Sequence, residues 1–80
     1  MNIDDLINHI ENEFEELNVG TLKSSSSIKD IDGWSSMHAL ILIALVDSQY
    51  DILLTGEELR SIMTVQDLFD TILSRKNSDG

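Results

Sequence analysis

The chain has 80 residues, 41% of them hydrophobic, and its 15 acidic against 5 basic residues give a formal net charge of -10. A chain of this length forms one domain, residues 1–80, and because it has no cysteine it has neither disulfides nor a thiolate metal site, so apolar packing must stabilise it. The acidic surface repels nucleic acid and anionic lipid, and it either favours partners that present positive patches or serves only to keep a small protein soluble.

The N-terminal region and the apolar runs both argue against a membrane location. The N-terminus is acidic and lacks the apolar stretch of a signal peptide. The longest uninterrupted apolar run, residues 39–46, is far shorter than a membrane span. We therefore expect a cytoplasmic protein without membrane insertion.

Residues 3–17 carry the spacing of an amphipathic helix. Apolar residues recur there at steps of three and four, at Ile3, Leu6, Ile7, Ile10, Phe14 and Leu17. We expect Asn2 to cap this helix and Gly20 to stop the segment. The glutamates are expected to face solvent, and they are Glu11, Glu13, Glu15 and Glu16.

Residues 21–35 are predicted to form a long loop. The loop contains four consecutive serines at 24–27, and its apolar residues Ile28, Ile31 and Trp34 are expected to anchor it to the core. A loop of this length in a small domain is often functional.

Residues 36–50 predict a second helix that is apolar on two faces. The segment contains no glycine or proline, and Ser35 is expected to cap it. One helical face consists of Ala39, Leu42, Val46 and Tyr50. The opposite face, which an ordinary amphipathic helix would make polar, consists of Met37, Ile41, Ala44 and Ser48. Something besides the core is therefore expected to cover that second face.

Two further helices are predicted at 56–62 and 65–75. Thr55 and Glu58 form a capping box at the first, and Thr64 with Asp67 caps the second. Arg75 and Lys76 stand at the predicted C-terminal end, where the helix dipole favours cations. The chain is therefore predicted to be all-α, with four helices of which the third is short.

The residues around position 36 closely resemble the attachment motif of acyl carrier proteins. The stretch Gly33-Trp34-Ser35-Ser36-Met37 stands where that family usually has Asp-Ser-Leu after a glycine. The segment Thr64-Val65-Gln66-Asp67-Leu68 is similar to the Thr-Val-x-x-Leu/Ile opening of the family's last helix, and Tyr50-Asp51 matches the end of its second helix. The acidic first helix, the long loop and the length extend the resemblance over nearly the whole chain. It implies a four-helix bundle of acyl-carrier type.

The resemblance also implies a function. Ser36 would receive 4'-phosphopantetheine from coenzyme A through a phosphopantetheinyl transferase, and the arm would present acyl groups as thioesters to acyl-loading and acyl-processing enzymes. The protein would then be a monomeric carrier and not an enzyme. Ser36 falls in the first turn of a helix, where unpaired N–H groups and the dipole favour a phosphodiester. Ser35 is the rival attachment point, but it occupies the place of the family's aspartate.

The outer face of the second helix departs from the family's pattern. Carriers of fatty acid synthesis typically have several acidic residues there, whereas this face has only one, Asp47. We therefore predict a more hydrophobic docking surface and a specialised biosynthetic pathway. The predicted docking residues are Met37, Leu40, Ile41, Ala44 and Asp47. The alternative for Ile41 is packing under the long loop.

The sequence argues against catalysis and against a calcium site. His38 is two residues from Ser36, so the two side chains do not face each other on a helix as a catalytic pair would. The stretch Asp30-Ile31-Asp32-Gly33 resembles the start of a calcium loop, but the twelfth position is Ile41 and not glutamate. We therefore expect neither catalysis nor a metal site. Two alternatives stay open: an aminoacyl or peptidyl carrier with the same arm, and an unmodified helical adaptor in which Ser36 is only a cap.

Overall fold

Four helices, one of them short, are present in the parts of the chain that the computed structural model describes, residues 2–14, 20–31 and 33–79. They are α1 (Ile3–Glu13), α2 (Ser36–Tyr50), α3 (Gly56–Ser61) and α4 (Val65–Asp79). A 3-10 turn, Ile28–Asp30, lies within the long connection between α1 and α2. The predicted all-α class and the predicted element order are confirmed, and the domain is compact, with principal extents of 35 × 24 × 21 Å.

The core lies where α1 packs against α2 and α4. Each of these helices contributes fully buried aliphatic side chains, which are Leu6, Ile10, Leu42, Val46, Leu68 and Ile72. The predicted inner face of α2 is confirmed for Leu42, Val46 and Tyr50, and Leu45 is buried as well. Because α2 is apolar on nearly all sides, its periodicity did not indicate that Leu45 also faces the core.

α1 begins at its predicted cap and ends earlier than predicted. The Asn2 Oδ1 atom accepts a hydrogen bond from the Asp5 N–H at 2.9 Å, which confirms the N-cap. The predicted continuation to residue 17 is wrong, because the helix ends at Glu13 and Phe14 has an extended backbone. The chain leaves the helix where the Phe14 ring enters the core. Leu17, together with Glu15 and Glu16, lies outside the described residues.

Glu11 is buried, whereas the sequence pattern placed it on the solvent-facing side. Only 5% of the residue is exposed. Its Oε2 atom accepts hydrogen bonds from the backbone N–H groups of Gly20 at 2.9 Å and Leu22 at 3.0 Å. Helical periodicity could not reveal this, because the donors lie nine and eleven residues further along the chain, outside the helix. The carboxylate therefore fixes residues 20–22 of the long connection to α1.

The serine-rich part of the connection is bound to the start of α4. Ser27 and Thr64 form an isolated antiparallel bridge. The Ser24 carbonyl accepts a hydrogen bond from the Gln66 N–H at 2.9 Å. The N–H of the neighbouring Val65 donates to another backbone carbonyl within the serine run at 24–27. The first N–H groups of a helix lack intrahelical partners, and here the connection satisfies them. Ile28, Ile31 and Trp34 anchor the rest of the connection to the core, as predicted.

The caps of the last two helices are confirmed, but their ends differ from the prediction. Thr55 and Glu58 form the predicted capping box, and Thr64 and Asp67 exchange reciprocal hydrogen bonds of 3.1 and 3.2 Å. α3 ends at Ser61 and not at 62, because Ile62 is extended and buries its side chain. α4 continues to Asp79, past the predicted end at 75.

The extension of α4 has a local reason. The predicted end relied on the cationic pair at 75 and 76, but the residues that follow include neither proline nor glycine before the final position. Arg75 is instead an interior residue of α4, and its guanidinium binds Glu58 of α3.

Within the described ranges, no helix is both long and apolar enough to cross a bilayer.

Candidate functional site at the start of α2

Ser36 is the first residue of α2 and is exposed. Gly33, with a φ of 76°, turns the chain toward the helix, and the Trp34 N–H donates to the Ile31 carbonyl at 3.0 Å. A positive φ is easily reached by glycine and strained for residues with a Cβ. The turn therefore delivers Ser36 to the surface at the positive end of the helix dipole, where an anion is favoured.

Ser35 occupies the N-cap position but does not cap α2 through its side chain. Its backbone is extended, as at other N-caps, yet within the described part of the chain its hydroxyl accepts no hydrogen bond from a helix N–H. The Ser35 Oγ atom instead lies 3.2 Å from His38 Nδ1, with the donor set by the imidazole tautomer. The predicted side-chain cap is therefore wrong. The Ser35 hydroxyl contacts the His38 imidazole and not a backbone N–H of α2.

Three rings pack together beside the start of α2. The imidazole of His38 stacks on Phe14 with a centroid distance of 5.4 Å and lies 5.7 Å from Trp34. Phe14 and Trp34 lie 6.4 Å apart. These contacts join the end of α1, the end of the long connection and the first turn of α2. Such ring pairs add stability beyond their buried area, so the backbone that presents Ser36 is held from two sides.

Most of the predicted docking residues form one exposed stripe along α2. Met37 and Leu40 are 68% and 65% exposed, and Ala44 and Asp47 are exposed as well. Their spacing of three, four and three residues places them along one side of the helix. Ile41 is different, because it is partly buried against the core. We call Met37, Leu40, Ala44 and Asp47 the outer stripe.

A groove of about 400 Å³ runs beside Ser36 between α2 and α3. Apolar side chains form most of its walls, and they include Ala39, Leu40, Ile43 and Leu59. Its charged lining residues, within the described chain, are Lys29 and Arg60. The Lys29 Nζ atom donates a hydrogen bond to the Arg60 carbonyl at 3.0 Å. Sequence reasoning missed this groove, because its walls come from three separate segments.

Two titratable groups elsewhere in the molecule have pKa values that are shifted from their usual ones. A hydrogen bond from the Thr55 N–H, reinforced by Arg75 at 2.6 Å, holds the pKa of Glu58 below its usual value. Burial raises the pKa of Tyr50, and the charge of Asp5 raises it further. The Tyr50 hydroxyl is buried, and no hydrogen-bond partner for it exists among the described residues. Glu58 joins α3 to α4 through Arg75, and neither Glu58 nor Tyr50 lines the groove beside Ser36.

The described residues bring together no group of three or more histidine, aspartate or glutamate side chains that could hold a metal ion. Asp32, one of the two aspartates considered for a calcium loop, lies outside the described residues. The site therefore consists of an exposed serine, an aromatic cluster, an apolar stripe and a groove with two cations.

No family model, curated protein or solved structure matches this chain. Its function is therefore inferred from the sequence pattern around Ser36 and from the geometry at the start of α2.

Proposed function

We propose that the protein is an acyl carrier that holds a 4'-phosphopantetheine arm on Ser36. The observation that carries this proposal is an exposed serine at the first position of α2, inside a stretch that resembles the attachment motif of such carriers. A transferase must reach this hydroxyl, so burial would have excluded the function. The arm supplies a terminal thiol for thioesters, which the chain itself lacks because it has no cysteine.

The attachment step needs little from the chain beyond an accessible hydroxyl. Ser36 Oγ forms the new bond to phosphorus, the diphosphate bond of coenzyme A breaks, and adenosine 3',5'-bisphosphate leaves. The proton of the hydroxyl passes to a base of the transferase. The first turn of α2 then stabilises the phosphodiester through its dipole and N–H groups. Ser35 does not compete for these N–H groups, because its hydroxyl is directed to His38.

The surroundings of Ser36 also support the predicted way of docking. Met37 and Leu40 stand exposed within the first turns of α2, beside the attachment point. A partner that handles the arm must approach this surface, and two exposed apolar side chains there favour an apolar contact. We propose that the partners are a phosphopantetheinyl transferase and the acyl-loading and acyl-processing enzymes of a specialised pathway.

Intact mass tests the attachment. Wild-type protein and the variants Ser36→Ala and Ser35→Ala are incubated with coenzyme A and several phosphopantetheinyl transferases. We expect wild type and Ser35→Ala to gain the mass of one arm and Ser36→Ala to gain none. Circular dichroism of the unmodified Ser36→Ala variant controls for its folding. An arm that persists on Ser36→Ala but is lost from Ser35→Ala would assign the attachment to Ser35.

An unmodified helical adaptor is the second candidate, and the exposed Met37 and Leu40 are the observation that favours it. An apolar helix stripe can bind a partner helix or groove without any arm. Failure of every transferase to modify the wild-type protein would support this candidate. An aminoacyl or peptidyl carrier would pass the same mass test, and only the group that the arm carries distinguishes it from an acyl carrier.

A further inference from the structure

The surface beside Ser36 carries positive charge in an otherwise acidic protein. The sequence has only 5 basic residues and a net charge of -10. Two of these five, Lys29 and Arg60, line the groove, and the acidic residues of the described chain are absent from its lining. The charge that a partner meets at this place is therefore opposite in sign to the charge of the protein as a whole.

The two cations lie together, and the guanidinium of Arg60 is available to a partner. The Lys29 Nζ atom donates to the Arg60 carbonyl at 3.0 Å, so the ammonium is held at the residue that supplies the second cation. Arg60 is exposed. Among the described residues, Arg75 and Glu58 form an ion pair, whereas Arg60 has no acidic partner. A guanidinium binds a carboxylate through two parallel N–H donors, so Arg60 can bind one that is supplied from outside.

An enzyme that acts on the arm has to cover Arg60. Ser36 and Arg60 line the same groove. A standard protein interface buries about 800 Å² of each partner, which corresponds to a circle about 30 Å wide. That width exceeds the two shorter extents of the domain, 24 and 21 Å. An interface centred on Ser36 therefore removes the Arg60 charge from water, and this is costly unless an opposite charge compensates it.

The acidic residues elsewhere in the molecule do not remove this local requirement. Interactions between exposed charges are screened over about 8 Å at physiological ionic strength. At contact, a partner therefore responds mainly to the side chains that it touches. Beside Ser36 these include Met37 and Leu40, which are exposed and apolar, and the cationic Arg60.

We infer that the enzymes that act on the arm present a carboxylate to Arg60 and, next to it, an apolar patch to Met37 and Leu40. The inference rests on the proposed attachment to Ser36 and extends it by assigning the charge of the partner at this contact. Lys29 adds a second positive charge behind Arg60 and strengthens the attraction. The positive patch that the net charge alone favours is thus replaced, at this contact, by a negative group.

The rate of arm transfer tests the inference. The enzyme is the phosphopantetheinyl transferase that modifies the wild-type protein most efficiently, and kcat/KM is measured by intact mass at low concentrations of the carrier. The substitutions Arg60→Glu, Arg60→Gln and Arg60→Lys reverse, remove and keep the charge. The control, Lys76→Glu, reverses an exposed cation of α4 outside the groove lining and changes the net charge as Arg60→Glu does. Melting curves verify that each variant is folded.

We expect kcat/KM to fall roughly tenfold for Arg60→Glu, because this variant places two like charges against each other. The fall should be about threefold for Arg60→Gln, which only removes an ion pair, and smaller for Arg60→Lys. Lys76→Glu should stay within about twofold of wild type, because its charge lies away from the contact.

Faster transfer to Arg60→Glu than to wild type would overturn the inference, because it would show that the partner presents a basic group there. Equal rates for Arg60→Glu and Lys76→Glu would overturn it as well, whether or not both lay below wild type. A wild-type protein that acquires no arm would instead refute the proposed function, and the mass measurement shows this before any variant is compared.

Discussion

Ser35 differs from the residue that the resemblance to acyl carriers leads us to expect at this position. The resemblance to acyl carriers places an aspartate at this position, and an aspartate there would add a negative charge beside the phosphodiester. Here the position is a neutral serine whose hydroxyl lies 3.2 Å from His38 Nδ1. The phosphodiester at Ser36 would therefore meet less repulsion. The transferase would in turn meet a surface that lacks this charge.

Glu11 is the single side chain whose loss should cost the fold most among the acidic residues. Its carboxylate accepts hydrogen bonds from the backbone N–H groups of Gly20 and Leu22, and the hydrogen bond from Leu22 is buried. Glu11→Ala removes a charged acceptor and leaves a buried donor unpaired, so we expect the free energy of unfolding to fall by about 2–3 kcal/mol. Urea denaturation followed by circular dichroism measures this change.

The same helix offers a matched control for Glu11. Glu13 lies two residues further along α1 and is exposed, so Glu13→Ala should change the free energy of unfolding by no more than about 0.5 kcal/mol. Glu11→Gln keeps an amide oxygen as acceptor and should fall between the two. Similar losses for Glu11→Ala and Glu13→Ala would show that the buried carboxylate does not hold the connection.

At the level of elements, the outer stripe of α2 is the predicted contact for the transferase. Met37→Ser/Leu40→Ser removes both exposed apolar side chains near Ser36. We expect kcat/KM for phosphopantetheinylation to fall about tenfold, which corresponds to a loss of about 0.7 kcal/mol from each of the two apolar contacts. The measurement is the rate of arm transfer at low concentrations of the carrier.

A matched pair of residues elsewhere controls for apolar content. Leu53 and Met63 are 64% and 57% exposed and lie outside α2. Leu53→Ser/Met63→Ser therefore removes the same two residue types at similar exposure. If both double variants were modified at the wild-type rate, the outer stripe would not be the docking surface.

The starts of the four described helices were predictable from the sequence, whereas three of their ends were not, and the end of α2 at Tyr50 is the exception. The caps at Asn2, Thr55 and Thr64 act through side chains within three residues, so a local pattern is enough to identify them. The ends at Glu13 and Ser61 are instead set by the residue that follows, which leaves the helix to bury its side chain. Burial of that kind depends on the tertiary structure, and no local signal indicates it.

At the scale of the whole molecule, Glu58 links α3 to α4 and makes stability depend on pH. Its carboxylate accepts a hydrogen bond from the Thr55 N–H and forms an ion pair with Arg75. The pKa of Glu58 in the folded protein is therefore lowered from the ordinary 4.5. The unfolded chain takes up the proton first as the pH falls. The stabilisation is therefore complete above the unfolded pKa and is lost as the pH falls below it toward the folded pKa.

Glu58→Gln should remove this dependence. The variant should be less stable than wild type at about pH 7, and the difference should shrink at about pH 3.5 as the wild-type carboxylate becomes protonated. Denaturation curves at the two pH values measure the difference in stability between wild type and variant. Glu57→Gln, a substitution at an exposed neighbouring residue, is the control. A difference of the same size at both pH values would contradict the role of the Glu58 charge.

The candidate site was predictable only in its local part. Ser36 and the outer stripe follow from one continuous segment, because a motif and a helical period are both read along the chain. The groove joins Lys29, Ile43 and Arg60, which lie on three segments, and the folded connection brings them together. Its cations could be counted in the sequence, but their common position required the structure.

Trp34, the only tryptophan of the chain, stands two residues before Ser36, packs against Phe14 and His38, and lines the groove. The molecule thus contains an intrinsic fluorophore at its candidate site. Excitation of the indole reports on that location alone, so arm attachment and groove occupancy can be followed by emission spectra without a dye. A label at the site, which would itself disturb the small surface around Ser36, is unnecessary.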